Sequence, residues 1–331
     1  MNIVLASPAR AGARSGNGRS AARYRALWTE LGHRVRVTTT GNLAGANMLV
    51  ALHATKCAAS IDAWRLRDAH APLIVIVAGT DLAGQARERF ERSLDAADAI
   101  VTLQPHAIDA LPQWARAKAR AILQSASAIL EKPAPRHDRR ADGDRIFEIA
   151  VIAALREVKD PLRAALAVRE LPASSKIRIT HYGPALDASI RLEAERLSEE
   201  IERYCWHGAH SHRETMALLV RSRALCLTSI SEGGANVVSE ALAHHLPVLC
   251  SAIPGNLGIL GDDWPATFEA LDTASLRELM LRFEDDEVFR KDVERRTNIL
   301  ASRITPEREL AAWADLFGSF PAPRDRVRRR S

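Results

Sequence analysis

The chain has 331 residues, of which 47% are hydrophobic and 26% are charged, and its formal net charge is +5. This length predicts two domains of roughly 150 residues each, and the composition is typical of folded globular proteins and excludes a disordered chain. Residues 324–330 carry five arginines and one aspartate, so four of the five net positive charges lie there. We interpret residues 321–331 as a basic, disordered tail and expect no nucleic-acid partner.

The apolar runs of the chain, such as residues 73–78, are far shorter than the roughly 20 residues that span a bilayer. The first six residues lack the basic start of a signal peptide and have the pattern of a buried strand. The four cysteines are scattered without a C-x-x-C pair, which indicates neither a disulfide framework nor a zinc site. We therefore expect a cytoplasmic protein without a membrane partner.

The N-terminal half alternates short apolar runs with longer amphipathic segments. This alternation of strands and helices predicts a parallel sheet with both faces covered, in a domain over residues 1–130. The predicted strands are 3–6, 34–38, 48–52, 73–77, 99–103 and 121–124, and the predicted helices are 19–31, 60–69 and 83–94.

Residues 131–145 are rich in proline and charge without apolar periodicity, which predicts a domain linker. A second α/β series follows over residues 146–305, and 307–317 has the pattern of a last helix. The predicted fold class is therefore α/β, with two doubly wound Rossmann-like domains facing across a cleft. The strands of the second series are 146–152, 176–181, 224–228 and 247–250, and its helices are 161–171, 187–203, 212–221, 235–243, 275–283 and 288–302.

The segment SEGGANVVSE places two carboxylates across a glycine-hinged loop that opens a helix. Gly233 and Gly234 allow the backbone to approach a ligand. The backbone N–H groups of 235–236, which are Ala235 and Asn236, would then face an anion. Carboxylates only accept hydrogen bonds, so Glu232 and Glu240 suit the sugar and ribose hydroxyls of a nucleotide sugar. An ordinary capped helix after a buried strand is the competing interpretation.

Two further loops at predicted strand ends suit anions, because ligands of open α/β sheets bind beyond those ends. Gly16, Asn17 and Gly18 could hold phosphate or sugar through backbone N–H groups, although a surface turn is the alternative. Their spacing is not G-x-G-x-x-G and no Walker lysine follows, so a nicotinamide or ATP site is weakly indicated. Arg156 and Lys159 oppose a helix dipole, which an anionic ligand such as a leaving diphosphate explains better than solvation.

Two loops of the N-terminal half carry candidate acceptor residues. His53 could orient a phosphoryl group or shuttle a proton, and Lys56 could hold an anionic acceptor. Thr80 and Asp81 offer a hydroxyl and a carboxylate at the same edge of the predicted sheet. The competing interpretation is that Asp81 caps a helix. The D-x-D spacing of 142–144 lies in the predicted linker and is interpreted as a turn, so we expect no metal cofactor.

The Glu232 to Glu240 spacing, the Arg156 and Lys159 pair and the glycine-rich first loop together resemble the GT-B glycosyltransferases of family 4. More narrowly, the segments 15–17, 52–54, 79–82, 156–161 and 232–242 are similar to the selenosugar synthases of selenoneine biosynthesis. The resemblance implies that a UDP-sugar, typically UDP-N-acetylglucosamine, is joined to selenophosphate through a carbon–selenium bond, with release of UDP and phosphate. It also implies a downstream enzyme that receives the selenosugar, and a last helix, 306–320, that crosses back to the first domain.

The resemblance implies a role for each candidate residue. The donor diphosphate would be held by Arg156, Lys159 and the backbone of 235–236, the ribose by Glu240, and the sugar by Glu232. Uracil would lie near the loop Trp206, His207 and Gly208, and the sugar and acceptor near Asn17, His53, Lys56, Thr80 and Asp81.

Two other functions stay open. A family 4 transferase with a conventional sugar or lipid acceptor would share every donor residue. Directly before the Glu-Gly-Gly loop, this chain has Ile230 and Ser231 where many relatives carry a longer polar side chain. A nucleic-acid-binding protein is the remote alternative, suggested by the basic tail.

Overall fold

In the computed structural model of this protein, residues 1–13, 15–82, 86–128 and 146–321 are described. The chain divides into two compact units, one formed by Met1–Gln124 with Pro306–Ser331 and the other by Ser125–Thr305. The predicted linker over 131–145, the D-x-D sequence at 142–144 and the tail from 322 onward lie outside the described residues.

The first unit is built on a six-stranded parallel sheet of order β2-β1-β3-β4-β5-β6. Strands β1, β3 and β4 are apolar runs, and their side chains alternate between two buried clusters on opposite faces. The strands are β1 (Asn2–Ala6), β2 (Arg34–Thr38), β3 (Met48–Leu52), β4 (Leu73–Val77), β5 (Ala99–Thr102) and β6 (Ala119–Ala121). The helices are α1 (Gly16–Glu30), α2 (Ala58–Arg67), α3 (Arg87–Ala96), α4 (His106–Asp109) and α5 (Gln113–Arg116), and a 3-10 helix covers Gly79–Asp81.

The second unit is also built on a six-stranded parallel sheet, of order β12-β11-β10-β7-β8-β9. Its strands are β7 (Phe147–Ile152), β8 (Ile177–Tyr182), β9 (Tyr204–Trp206), β10 (Ala224–Leu227), β11 (Val248–Ser251) and β12 (Thr267–Phe268). Its helices are α6 (Arg163–Arg169), α7 (Ala188–Glu200), α8 (His212–Arg221), α9 (Asn236–Ala243), α10 (Pro254–Leu260), α11 (Thr273–Asp285) and α12 (Glu287–Ala301), and a 3-10 helix covers Glu157–Lys159.

The last helix, α13 (Pro306–Gly318), packs against α1 of the first unit. The ring of Trp313 is fully buried and meets the rings of Tyr24 and Trp28 edge-on, with centroids 5.3 and 4.9 Å apart. Phe317 meets Trp28 in the same manner at 5.5 Å. Because aromatic side chains bury large apolar areas, the end of the chain completes the core of its first unit.

The predicted fold class is confirmed, since both units are parallel-sheet α/β domains. The strand predicted at 121–124 is wrong: β6 ends at Ala121, and its half-buried residues include Arg120, so no apolar run marks it. Strands β9 and β12 were not predicted because they have only three and two residues. Of the helices in the described ranges, none combines the length and apolar character that crossing a bilayer requires.

Candidate functional site

Each sheet has one place where the strand order reverses. Strand β1 lies between β2 and β3, and β7 lies between β8 and β10. Ligands of open α/β sheets bind beyond the carboxyl ends of the strands at such switch points. In the first unit, the loop after β1 carries residues 16–18 and the loop after β3 carries His53 and Lys56. In the second unit, the loop after β7 carries Arg156 and Lys159, and the loop after β10 carries residues 232–236. The structure thus places these candidates at the switch points of their own sheets.

Lys159 and Glu232 contact each other at the switch point of the second unit. Nζ of Lys159 donates a hydrogen bond to Oε1 of Glu232, and Oγ of Ser229 donates to the same oxygen at 2.6 Å. The two charged side chains are 18% and 8% exposed, so the pair is largely shielded from water. Lys159 was predicted to contact the diphosphate and Glu232 the sugar, and in the structure these two residues form one ion pair.

The loops after β7 and β10 are joined by hydrogen bonds. The backbone N–H of Ile230 donates to the carbonyl of Val158 at 3.0 Å. Oγ1 of Thr228 donates to the carbonyl of Asp160 at 2.8 Å, and Asp160 has a left-handed backbone with φ +41°. These bonds fix the backbone of Lys159 against the loop that carries Glu232.

Arg156 precedes the 3-10 helix of the same loop and has extended backbone. Its Nε is buried and has no hydrogen-bond partner among the described residues. A buried donor without a partner costs about 1–3 kcal/mol, and an anionic ligand would remove this cost. This nitrogen therefore suits the predicted contact with a diphosphate.

Helix α9 begins directly after the Glu-Gly-Gly turn, in which Gly233 is buried and Gly234 is partly exposed. Its N-cap residue, Ala235, has no side chain that could cap the helix, an arrangement that suits an anion at Asn236. Gly255 of α10 packs behind the turn: a Cβ atom at this position would lie 2.1 Å from the carbonyl oxygen of Glu232. The packing requires glycine there and fixes the Glu232 backbone.

Glu240 lies within α9, and its residue surface is 8% exposed. Its Oε1 is 3.8 Å from Nδ1 of His212, the first residue of α8. Sequence reasoning missed His212, because only the fold brings the start of α8 next to α9.

The loop after β9 carries the residues predicted to lie near uracil. Nε1 of Trp206 donates to the carbonyl of Gly183 at 3.0 Å, so this donor is committed to the backbone. The His207 ring meets Tyr182 edge-on, and Tyr182 in turn stacks on His210 with centroids 3.8 Å apart. Burial, followed by the neighbouring His210 and Arg221, lowers the pKa of His207. The loop continues through Gly208, whose φ of +75° suits glycine. The flat Tyr182 and His210 surface was not predicted.

His181, also missed, supports the loop of Arg156 from inside the sheet. Burial lowers the pKa of His181 to about 4, so its imidazole is neutral. Its Nε2 donates to the carbonyl of Ala153 at 2.9 Å, and its Nδ1 accepts from the hydroxyl of Tyr204 at 2.9 Å. Gly183 lies against the same carbonyl, and a Cβ there would be 1.7 Å from it. A histidine inside a buried strand gave no signal of this role.

The structure joins His53, Thr80 and Asp81 in the first unit. His53 is 2% exposed and has an unusual φ of +96°. Its Nδ1 lies 2.6 Å from Oδ1 of Asp81, and its Nε2 lies 2.6 Å from Oγ1 of Thr80. Thr80 is exposed, as is Lys56 in the same loop as His53.

The carboxylate of Asp81 is fully occupied by its own surroundings. It accepts hydrogen bonds from the backbone N–H groups of Ala54, Thr55 and Ala78 at 2.8 to 3.0 Å. Burial would raise the pKa of Asp81, but the hydrogen bonds from His53 and from the N–H groups of Ala78 and Thr55 outweigh it and lower that pKa. The Asp81 side chain is 0% exposed, so the predicted direct contact with an acceptor is not available.

The residues 16–18 form the first turn of α1. The N–H of Gly18 donates to Oγ of the N-cap residue Ser15 at 3.2 Å, so it is not available to a phosphate. A Cβ at Gly18 would lie 2.6 Å from the carbonyl of Ala13, which explains why glycine stands there. Gly16 is exposed and Asn17 is partly exposed.

Within the described ranges, no three His, Cys, Asp or Glu side chains come together as metal ligands.

Part of the chain is similar to known proteins. Residues 137–299 match the family described as "Glycosyl transferases group 1". The chain is 29% identical over 161 residues to the "Glycosyltransferase 1 domain-containing protein 1" of Xenopus tropicalis, which covers 46% of each protein. It is also 39% identical over 121 residues to a tRNA dimethylallyltransferase of Azorhizobium caulinodans, covering 36% of this chain and 35% of that protein. The chain thus spans less than half the length of these curated relatives.

Solved structures share the whole fold. The Anabaena protein HepE in complex with UDP-glucose superposes with a TM-score of 0.77 at 13% identity, over 97% of this chain and 100% of HepE. Sucrose-phosphate synthase from Thermosynechococcus elongatus gives a TM-score of 0.75 at 16% identity, over 96% and 98% of the two chains. The family match covers residues 137–299, just under half of the chain. The structural matches show that its two parallel-sheet α/β units share the fold of GT-B glycosyltransferase structures.

Proposed function

We propose that this protein transfers the sugar of a UDP-sugar, UDP-N-acetylglucosamine, to selenophosphate, forming a carbon–selenium bond and releasing UDP and phosphate. The observation that carries the donor half is the group at the second switch point: the Lys159 and Glu232 pair, the buried Nε of Arg156 and the start of α9. The acceptor half is supported by the sequence resemblance to selenosugar synthases and by the His53 and Thr80 contact.

The donor diphosphate would lie between Lys159, Arg156 and the start of α9. Two cations and a helix N-terminus stabilise the charge that develops on a leaving diphosphate. Glu232 would exchange its contact with Lys159 for a sugar hydroxyl, and Glu240 would accept from the ribose. HepE, which shares the fold, was solved with UDP-glucose, which supports a UDP-sugar as donor.

Selenophosphate as acceptor reduces the demands on the protein. Its selenium is an anionic nucleophile, so attack on the anomeric carbon needs positioning more than a strong base. Lys56, exposed beside His53, would attract this anion. Arg156 and Lys159 would supply the positive charge at the diphosphate, so we propose that turnover requires no metal ion.

The test is anaerobic incubation of the full-length protein with UDP-N-acetylglucosamine and selenophosphate, with and without a chelator. UDP release is followed, and mass spectrometry searches for a selenium-containing sugar. Controls omit selenophosphate or replace it with phosphate. The expected result is UDP release that depends on selenophosphate, persists with chelator and yields a selenosugar.

A conventional acceptor is the second candidate, because HepE was also solved with UDP and glucose. If the protein binds UDP but no selenium enters the sugar, while glucose or another sugar stimulates UDP release, the acceptor assignment fails and the donor site stands. If UDP does not bind, the donor site fails as well.

A further inference from the structure

Three side chains of the first unit form a continuous line of contacts. Asp81 Oδ1 lies 2.6 Å from His53 Nδ1, and His53 Nε2 lies 2.6 Å from Thr80 Oγ1. A carboxylate that orients a histidine, which in turn contacts a hydroxyl, is an arrangement able to move a proton. These contacts come from two separate loops, which follow β3 and β4.

The surroundings fix the protonation pattern of the line. The hydrogen bonds to Asp81 favour its carboxylate form, which only accepts. Nδ1 of His53 has three close polar neighbours, Oδ1 of Asp81 at 2.6 Å, the hydroxyl of Thr55 at 3.0 Å and the backbone N–H of Lys56 at 3.3 Å. We assign the proton to Nδ1 because its contact with Asp81 is the shortest one. In the neutral imidazole Nε2 is then an acceptor, and the hydroxyl of Thr80 donates to it. With this tautomer, Nε2 of His53 can accept the proton of Thr80.

Exposure decreases along the line from Thr80 inward. Thr80 is exposed, whereas the side chains of His53 and Asp81 are 2% and 0% exposed. At its Nε2, His53 can therefore exchange a proton with a ligand through Thr80, whereas its Nδ1 faces Asp81 and the hydroxyl of Thr55 at 3.0 Å. Its backbone φ of +96° costs about 1–3 kcal/mol, and such strain concentrates at functional sites.

Two ionisable side chains, Lys56 and Cys57, follow His53 in the same loop. Burial, reinforced by Asp81, raises the pKa of Cys57 to about 12, and its thiol donates to the carbonyl of Leu52. Lys56 is exposed and contributes a positive charge at the open end.

We propose that Thr80, His53 and Asp81 are a proton relay for phosphate release, with Thr80 as the catalytic residue and the other two as positioning residues. This inference rests on the proposed function. In the first step selenium attacks the anomeric carbon: the C–Se bond forms, the bond to the UDP oxygen breaks, and UDP leaves with the electron pair. The sugar now carries selenium bound to a phosphoryl group.

The second step uses the relay. Water attacks phosphorus, the new O–P bond forms, the P–Se bond breaks, and selenium keeps the electron pair. The water proton passes to Thr80 as the hydroxyl proton of Thr80 passes to Nε2 of His53, and Asp81 stabilises the resulting imidazolium. His53 then returns a proton through Thr80 to the selenolate, which leaves a selenol and inorganic phosphate and restores the relay.

The test compares Thr80→Val, which keeps the side-chain shape without the hydroxyl, with Thr80→Ser, which keeps the hydroxyl. UDP and phosphate release are measured separately, and ³¹P NMR detects a phosphorylated selenosugar. We expect Thr80→Val to release phosphate at least about 30-fold more slowly, because loss of a positioned proton transfer has effects of this size or more. UDP release should continue, and the phosphorylated selenosugar should accumulate. Thr80→Ser should stay within about threefold of the wild type.

A second readout needs no turnover. In the ¹⁵N spectrum of histidine-labelled protein, His53 should carry its proton on Nδ1, and Asp81→Asn should change that pattern. A proton on Nε2 instead, or equal slowing of UDP and phosphate release in Thr80→Val, overturns the relay. If the wild type releases both products and Thr80→Val does the same at an equal rate, the relay fails while the proposed function stands. If the wild type releases no UDP with selenophosphate, the proposed function fails first.

Discussion

In the proposed function, Lys159 would link the diphosphate to the sugar. Its ammonium pairs with Glu232, which also accepts from Ser229. We expect Lys159→Ala to lower kcat by about 10²–10³, because a positioned charge at the leaving group is lost. Steady-state kinetics with UDP calorimetry measures this, and Lys291→Ala, which removes a 70% exposed lysine of α12, is the matched control. A kcat within threefold of the wild type would contradict a role of Lys159 at the diphosphate.

Glu240 should contribute to binding and not to turnover. Its carboxylate is largely buried in α9, where it would accept from the ribose hydroxyls. Loss of a charge-assisted hydrogen bond costs about 1–3 kcal/mol, so Glu240→Ala should weaken UDP binding by about 5- to 150-fold. Glu199→Ala, at an exposed position of α7, serves as control. Equal UDP affinity in both variants would remove Glu240 from the donor site.

His181 makes the second unit sensitive to acid. Because burial lowers its pKa to about 4, the unfolded state binds the proton more readily than the folded state. The stability that His181 contributes is therefore complete above about pH 6.5 and is lost as the pH falls towards 4. By pH 5 the expected loss is about 2 kcal/mol.

Hydrogen exchange of the amides in β7 and β8 at pH 7 and pH 5 measures this effect. In His181→Gln, which keeps an N–H donor without titrating there, the difference between the two pH values should shrink by that amount. An unchanged difference would show that another group is responsible.

At the scale of elements, the proposed donor site depends on how closely α10 packs behind the Glu-Gly-Gly turn. The space at Gly255 is closed by the carbonyl of Glu232, so an added Cβ must displace this loop. We expect Gly255→Ala to lower kcat/KM at least tenfold, since shifts of about 1 Å at positioning groups have effects of this size or more. Gly318→Ala adds the same methyl group where no atom lies within 4 Å. Kinetics of both variants test this, and equal activity would show that the loop has room to move.

The sequence allowed some elements to be predicted and concealed others for physical reasons. Strands β1, β3 and β4 were predictable because helices on both faces require uninterrupted apolar runs. Strands β9 and β12, at the edges of their sheet, are too short to show any pattern. Helix α9 was placed to within one residue because glycines mark its start.

The partners within the site could not be predicted in the same way. Lys159 and Glu232 are 73 residues apart in sequence, and only the pairing of β7 with β10 brings their loops together. Likewise the hydroxyl of Thr80 and the ring of His53 meet because β3 pairs with β4. Spacing indicated which residue types were chemically useful, and the strand order decided which of them touch.

At the scale of the whole molecule, the first unit is made from both ends of the chain, and Trp313 of α13 is buried against Tyr24 and Trp28 of α1. Trp313→Ala should destabilise this unit by about 3–5 kcal/mol, the range for a buried aromatic side chain. Asp315→Ala is the matched control in the same helix: its side chain is 80% exposed and pairs with the half-exposed Arg120, so its effect should be below about 1 kcal/mol.

The free energy of unfolding of both α13 variants is measured in urea, with hydrogen exchange of the β1 and β3 amides as the readout. Below the unfolding midpoint, UDP affinity should be the same in both, because Lys159, Glu232 and Glu240 all belong to the second unit. Equal stability of the two variants would mean that the aromatic contacts of α13 do not stabilise the first unit. A loss of UDP affinity in Trp313→Ala alone would mean instead that the donor residues depend on the core that α13 completes.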